Sequence, residues 1–92
     1  DMVGRYGGDE FLIVLPLARR DGALMKAEAL REWITQLRVP ALPRSVTISA
    51  SFGVVSAESS GDLDAATLIR RADQALYRAK AGGGNQVALW TP

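Results

Sequence analysis

The chain contains neither cysteine nor histidine. Without cysteine it has no disulfide, no thiolate metal site and no thiol nucleophile. Without histidine it lacks the commonest general base and transition-metal ligand. A metal held by these side chains would therefore need oxygen ligands.

Charge of one sign and long hydrophobic runs are also scarce. The formal net charge is +1 over 92 residues, of which 23% are charged and 48% hydrophobic. This composition shows no basic excess of the kind that binds nucleic acid or anionic membranes, and no signal-like start or membrane-length apolar run is visible. We therefore expect a cytoplasmic globular domain with a thin core, without nucleic acid as a partner and without direct membrane contact from this segment.

A turn with two adjacent carboxylates lies near the start of the chain. Residues 4–15 read GRYGGDEFLIVL, so Gly7 and Gly8 precede Asp9 and Glu10. Glycine permits the positive φ of a tight hairpin and lets another molecule approach the backbone. Two mutually repelling carboxylates at an exposed tip suit a hard cation such as Mg²⁺, and a metal beside glycines indicates phosphate chemistry. Taken alone, the same residues also fit an ordinary solvated turn.

Hydrophobic periodicity predicts a hairpin followed by a helix. Strands are expected at residues 2–6 and 11–15, and the second is read as buried on both faces because all five of its residues are apolar. Asp21 is the expected N-cap of the helix. The apolar stripe of this helix comprises Ala23, Ala27, Leu30, Ile34 and Leu37, and Pro40 and Pro43 mark the loop that follows.

The second half of the chain predicts a strand, a helix and a last strand. Residues 46–54 alternate between an apolar face and a hydroxyl-rich face that we expect to be exposed to solvent. Asp62 or Asp64 is expected to cap the next helix, and Gly82 to end it. The buried stripe of that helix is predicted to be Leu68, Ala72, Ala75, Leu76 and Ala79, and residues 86–90 are read as a short strand. Together these elements predict an α+β sandwich with a mainly antiparallel sheet.

Three segments in the correct order resemble the GGDEF domain family, the diguanylate cyclases. They are residues 5–11 (RYGGDEF), 46–54 (VTISASFGV) and 72–80 (ADQALYRAK), followed by Asn85. Three ordered motifs are far more specific than one pentapeptide. The resemblance implies an enzyme that condenses two GTP molecules into cyclic di-GMP and releases pyrophosphate, in bacterial second-messenger signalling.

The resemblance also implies the fold of adenylyl cyclase catalytic domains, which elaborates a ferredoxin-like core. In that core the first strand lies in the middle of the sheet, and residues 1–92 resemble only the C-terminal part of the domain, without that strand and the helices after it. Unpaired strand edges are costly to bury. We therefore expect residues 1–92 to form a partial domain, which is either an excerpt of a longer protein or completed by strand exchange with a second copy.

By resemblance, the matched residues surround a metal and a triphosphate. Asp9 and Glu10 would be the catalytic carboxylates that hold Mg²⁺ or Mn²⁺, and Asp9 is also the family's candidate for helping to deprotonate the attacking 3′-hydroxyl. Gly7 and Gly8 would let the backbone approach the GTP phosphates, and Lys80 would contact the triphosphate. Without the family, Lys80 reads as a solvated lysine favoured by a helix C-terminus.

Gly84 departs from the family's pattern, and Asp1 matches a position of the family's inhibitory site. Where the family usually has Gly-Arg-Asn after the last helix, this chain has Gly83, Gly84 and Asn85, so a phosphate-directed guanidinium is absent. Asp1 stands where the family's inhibitory site ends its Arg-x-x-Asp motif, which binds the product cyclic di-GMP. An ordinary polar residue before a strand is the alternative reading of Asp1.

Three classes of function are compatible with these observations. The first is a GTP- and Mg²⁺-dependent diguanylate cyclase acting as a homodimer, because the product is built from two GTP molecules; on this view the fragment alone is inactive. The second is a non-catalytic module that binds GTP or cyclic di-GMP and regulates a neighbouring domain. A third is an acidic turn that only mediates protein contacts.

Overall fold

A computed structural model of the chain describes residues 2–5, 10–16, 18–57 and 64–92. The elements in order are β1 (Met2–Arg5), β2 (Phe11–Val14), α1 (Arg20–Thr35), β3 (Phe52–Val54), α2 (Ala65–Ala81) and β4 (Val87–Leu89). The expected α+β class is confirmed. Within the described ranges the strands form two separate two-stranded sheets, β1–β2 and β3–β4.

The predicted hairpin is confirmed. Strands β1 and β2 are antiparallel, with Met2 opposite Val14 and Arg5 opposite Phe11. The expectation that the second strand is buried on both faces is wrong, because Phe11 is 66% and Val14 44% exposed. Their apolar side chains stay exposed because, among the described residues, β1 and β2 pair only with each other and neither helix packs extensively on them.

Helix α1 presents its predicted apolar stripe to the rest of the molecule. Ala27 is buried, and the other members of the stripe are half-buried. The prediction that Asp21 is the N-cap is wrong. Arg19 occupies that position and makes no side-chain capping bond. Asp21 instead lies in the first turn, where a carboxylate interacts favourably with the positive end of the helix dipole.

The strand predicted over residues 46–54 is much shorter in the structure. Only Phe52–Val54 form β3, which pairs in parallel with β4 so that Phe52 lies opposite Val87 and Val54 opposite Leu89. Residues 46–51 have no ladder partner within the described chain, so their alternating pattern alone does not make a strand. The last predicted strand is confirmed, with its ladder at Val87–Leu89.

Helix α2 follows the sequence closely. The Asp64 side chain accepts a hydrogen bond from the Thr67 backbone N–H at 2.8 Å, which confirms Asp64 as the cap; Asp62 lies outside the described residues. Ala75 and Ala79 are almost completely buried, as the predicted stripe requires. Gly82 follows the last helical residue, as expected.

The close packing of α2 on the sheet depends on Gly53. A Cβ at this position would lie 2.2 Å from the Ala72 carbonyl oxygen and 2.3 Å from the Leu76 nitrogen. The face of β3 predicted to be exposed to solvent therefore faces a helix at Gly53, and that part of the expectation is wrong. Glycine is required here because no side chain fits between strand and helix backbone.

Both helices pack on the β3–β4 sheet, which makes this the centre of the fold. The buried residues in the described ranges are Ala27, Ala75, Ala79 and Ser56. Small side chains therefore form the core and allow the layers to approach closely. Across these ranges, no helix is long and apolar enough to cross a membrane.

Candidate functional site

Two residues predicted to act at one site lie close together in the structure. Glu10 directly precedes β2, and Lys80 lies in the last turn of α2. The Lys80 Nζ atom is 3.7 Å from Glu10 Oε1, and the two side chains are 51% and 32% exposed, respectively. The structure thus forms an accessible carboxylate–ammonium pair between the start of β2 and the end of α2.

The turn after α2 holds the helix end that carries Lys80. The Gly83 N–H donates to the Lys80 carbonyl oxygen at 3.2 Å, and the Gly84 N–H donates to the Ala79 carbonyl oxygen at 3.1 Å. Gly83, Gly84 and Asn85 all have positive φ, at 113°, 73° and 51°. Two glycines and an asparagine are the residue types that adopt this conformation most readily.

Asn85 connects this turn to two other parts of the fold. Its backbone N–H donates to Ser51 Oγ at 3.0 Å, and its Oδ1 accepts from Arg31 Nη1 at 3.1 Å. Arg31 belongs to α1, and Ser51 directly precedes β3. Three segments that are distant in the sequence therefore meet at one asparagine.

Arg31 is itself held in place by a neighbouring carboxylate. Its Nε and Nη2 atoms both donate to Glu28 Oε1, the former at 2.9 Å. This hydrogen bonding lowers the pKa of Glu28 and raises the pKa of Arg31 from their ordinary values. Glu32 lies further away, with its Oε1 atom 3.9 Å from Arg31 Nη2. The guanidinium is thereby oriented so that its remaining nitrogen reaches Asn85.

The other predicted site residues lie outside the described part of the chain. Gly7, Gly8, Asp9 and Asp1 are among them, so their roles stay predictions. Within the described ranges no group of three or more acidic residues is arranged to hold a metal. Glu10 contributes one hard oxygen donor, which fits Mg²⁺ or Mn²⁺ chemically but does not complete a coordination shell.

Trp90 is a packing residue. Its Nε1 donates to Gln74 Oε1 at 3.0 Å, and the Arg71 guanidinium lies 4.1 Å from the ring centroid. Both partners are on α2, so the indole fastens the end of β4 to that helix.

An open cavity of about 560 Å³ lies away from Glu10 and Lys80. It is formed by the segment between α1 and β3, including Leu37, Arg38, Arg44 and Ile48. Of the predicted site residues that the structure describes, Glu10 and Lys80, neither lines this cavity.

Comparison with known proteins identifies the family. The pattern described as "Diguanylate cyclase, GGDEF domain" matches residues 1–86. The chain belongs to the GGDEF family. The carboxylate–lysine pair at Glu10 and Lys80 therefore joins the family's signature segment to its last helix.

Curated relatives and a solved structure agree with this assignment. The diguanylate cyclases DgcM and DosC of Escherichia coli K12 are 40% identical over 87 residues and 41% identical over 90 residues, respectively. The matches cover 95% and 98% of this chain but only 20% and 19% of those proteins. The chain therefore spans about a fifth of the curated relatives it matches.

The active GGEEF domain of a diguanylate cyclase from Vibrio cholerae has a similar structure. The TM-score is 0.85 at 35% identity, covering all of this chain and 58% of that one. The motif in its description has Glu where this GGDEF chain has Asp9, so both carry a carboxylate there. The match supports the fold expected from the sequence, including its likeness to a cyclase domain.

Neither the contact of Arg31 with Asn85 nor that of Ser51 with Asn85 was predicted from the sequence. Arg31 was one charged residue among several on a helix, and nothing in the local pattern pairs it with Asn85. Ser51 belonged to a face expected to be solvated. Ser51 lies beside the turn after α2 because the fold places the start of β3 next to that turn.

Proposed function

We propose that the protein carrying this GGDEF chain is a diguanylate cyclase that condenses two GTP molecules into cyclic di-GMP. The observation that carries the proposal is the approach of Lys80 to Glu10, at 3.7 Å between Nζ and Oε1. It joins a candidate phosphate ligand on α2 to a candidate metal ligand in the signature motif. Phosphoryl transfer requires both functions at one place, since its main needs are charge neutralisation and positioning.

The reaction balances as two successive condensations. In each, the 3′-oxygen of one GTP bonds to the α-phosphorus of the other, and the bond from that phosphorus to pyrophosphate breaks. Two GTP molecules thus yield one cyclic di-GMP and two pyrophosphates. Each 3′-hydroxyl loses its proton, for which Asp9 is the candidate acceptor.

Glu10 and Lys80 exchange partners in this proposal. Exposed ion pairs contribute little free energy, so a triphosphate with several negative charges can attract Lys80 away from Glu10. Glu10, with Asp9 beside it in the sequence, then offers oxygen ligands for Mg²⁺ or Mn²⁺. The bound ion would neutralise phosphate oxygens as charge develops on them.

Assembly and location follow from the substrate and product. Because the product contains two GTP-derived halves, we propose a homodimer in which each protomer binds one GTP. We place it in the cytoplasm, where GTP is available. Asp1 is proposed to contact cyclic di-GMP at an inhibitory site.

The test is an assay of the full-length protein with GTP and Mg²⁺, with cyclic di-GMP detected by chromatography. Wild type should form product, and Asp9→Ala should not. Lys80→Met should raise KM for GTP by about tenfold or more, because a charge-assisted contact is lost. Lys26→Met, which alters the chain's other lysine on α1, is the matched control and should behave as wild type.

Two results would contradict the assignments. Product formed by Asp9→Ala would exclude the proposed role of Asp9, and an unchanged KM in Lys80→Met would exclude the phosphate contact.

The second candidate function, a non-catalytic nucleotide-binding module, is favoured by Gly84. Gly84 adopts a φ of 73°. Because it has no side chain, no guanidinium lies at the position where the family usually has arginine. GTP or cyclic di-GMP binding without product in the wild type would support that alternative.

A further inference from the structure

We propose that Arg31 is a positioning residue of the nucleotide site, which acts through Asn85 and the turn after α2 on the placement of Lys80. This inference rests on the proposed function, because it concerns how Lys80 is presented to GTP. Arg31 itself lies on α1, and the hydrogen bonds and ion pairs described for it join it to Glu28, Glu32 and Asn85 rather than to Glu10 or Lys80. Its influence has to pass through the contacts of Asn85.

The first step joins α1 to the turn. Arg31 Nη1 donates to Asn85 Oδ1 at 3.1 Å, while Glu28 occupies the Nε and Nη2 atoms. The Arg31 side chain is only 19% exposed. A guanidinium held by a carboxylate on one side has little freedom, so it provides a fixed donor to Asn85 on the other.

The second step joins the turn to the strand region. Asn85 adopts φ 51° and donates its N–H to Ser51 Oγ at 3.0 Å. Its backbone and its side chain therefore have separate partners, and both partners are distant in the sequence. This double attachment holds a segment with three consecutive positive φ values, in which the two glycines would otherwise allow many conformations.

The third step joins the turn to Lys80. Backbone N–H groups of Gly83 and Gly84 donate to the carbonyl oxygens of Lys80 and Ala79, at 3.2 and 3.1 Å. These bonds satisfy carbonyl groups at the C-terminal end of α2, which have no partner within the helix. If the turn moves, the last turn of α2 loses these partners and Lys80 is no longer held opposite Glu10.

The test starts from four single variants of the full-length protein. Asn85→Gly removes the acceptor for Arg31 but tolerates the positive φ, and Asn85→Asp restores an acceptor. Arg31→Met removes the donor. Arg38→Met is the matched control, because that arginine donates only to the neighbouring Leu37 carbonyl in the described structure.

We expect Arg31→Met and Asn85→Gly each to raise KM for GTP by about three- to tenfold, the scale of one hydrogen bond, with a smaller change in kcat. The double variant should resemble either single variant. Asn85→Asp and Arg38→Met should stay near wild type. In a Lys80→Met background, Arg31→Met should have no further effect on KM, because the proposed route ends at Lys80.

Hydrogen exchange gives a readout that does not depend on activity. The Gly83 and Gly84 amides should exchange faster in Arg31→Met and Asn85→Gly than in wild type or Arg38→Met. Unchanged protection of these amides would overturn the proposal, as would an Arg31→Met effect that simply adds to that of Lys80→Met. If wild type neither binds nor turns over GTP, the proposed function fails, and amide exchange still decides whether Arg31 holds the turn.

Discussion

The β1–β2 hairpin and the body formed by α1, β3, α2 and β4 both contain apolar side chains but bury them to different extents. In the hairpin, Met2, Val3 and Phe11 are 67%, 70% and 66% exposed. In the body, Ala75 and Ala79 are 0% and 1% exposed. Burial therefore depends on having an element to pack against, since the wholly apolar strand β2 is more exposed than the shorter strands β3 and β4.

The two regions also have different roles: the body provides most of the packing, and the hairpin lies next to the signature residues in the sequence. The body holds the closest packing, where Gly53 meets α2, whereas the hairpin leads to the signature residues. The Glu10–Lys80 ion pair connects them. We therefore expect substitutions in the body to act mainly on folding and substitutions near this pair mainly on nucleotide binding.

The largest expected effect is that of Gly53→Ala in the body. The added Cβ would meet Ala72 and Leu76 backbone atoms at 2.2 and 2.3 Å, so strand and helix must separate. We expect a loss of about 3 kcal/mol in the free energy of unfolding, measured by urea denaturation. The matched hairpin variant is Gly4→Ala, whose Cβ would meet no atom of the described residues within 4 Å, and its effect should be within about 0.5 kcal/mol. Equal losses would contradict the comparison.

A smaller contrast is expected between Ala75→Leu and Phe11→Ala. Leucine at a fully buried position overpacks the contact of α2 with the sheet and should cost about 2 kcal/mol. Removing the exposed Phe11 side chain should cost less than about 1 kcal/mol, well below the usual cost of deleting a buried phenylalanine. A large loss for Phe11→Ala in the same denaturation experiment would show that another surface covers the hairpin.

The cap of α2 predicts a modest dependence of stability on pH. The hydrogen bond from Thr67 lowers the pKa of Asp64, so the folded state favours the ionised carboxylate. Its contribution is present above the unfolded pKa of about 4 and is lost as the pH falls through the lower folded value. Asp64→Asn keeps an oxygen for the cap but does not titrate there. Wild type should therefore lose its advantage over this variant below about pH 4 in thermal melts; a constant difference down to pH 2 would contradict the assignment.

The smallest expected effect is the coupling between Glu10 and Lys80. A double-mutant cycle with Glu10→Gln and Lys80→Met should give about 0.5 kcal/mol or less, because both side chains are partly exposed. Added salt should reduce the coupling. Replacing Lys80→Met by Lys26→Met gives the control cycle, which should be additive. A coupling of about 2 kcal/mol would contradict a weak, exchangeable pair and with it the partner exchange proposed for catalysis.

The elements with clear local patterns were predicted well. Both helices present the expected stripes, and the Asp64 oxygen caps α2. The prediction of Asp21 as the N-cap was wrong because Asp is also common in the first turn of a helix, and Asp21 lies two positions after the actual N-cap, Arg19. The prediction of a strand over residues 46–51 was wrong. Alternation of apolar and polar residues predicts two faces, whereas a strand also needs a partner for its backbone hydrogen bonds.

The candidate site was only half predictable. Glu10 and Lys80 were each identified from motifs that resemble the family, while their proximity came from the fold. Arg31 was missed because its partner Asn85 is 54 positions away, and Ser51 because its bond to Asn85 spans 34 positions. Residue type and spacing carry no distance information over such separations.

The sequence alone was enough to determine the family, through three ordered motifs, as well as the helix faces and the glycine end of α2; for the α2 cap it left Asp62 and Asp64 open. The helix faces and the glycine end depend on side chains within one or two turns of each other and on backbone preferences of single residues. The tertiary structure decided that Gly53 lies against α2, that Arg31 reaches Asn85 and that Lys80 faces Glu10. It did so because such contacts depend on how whole elements pack, and packing brings together residues whose sequence positions say nothing about their distance in space.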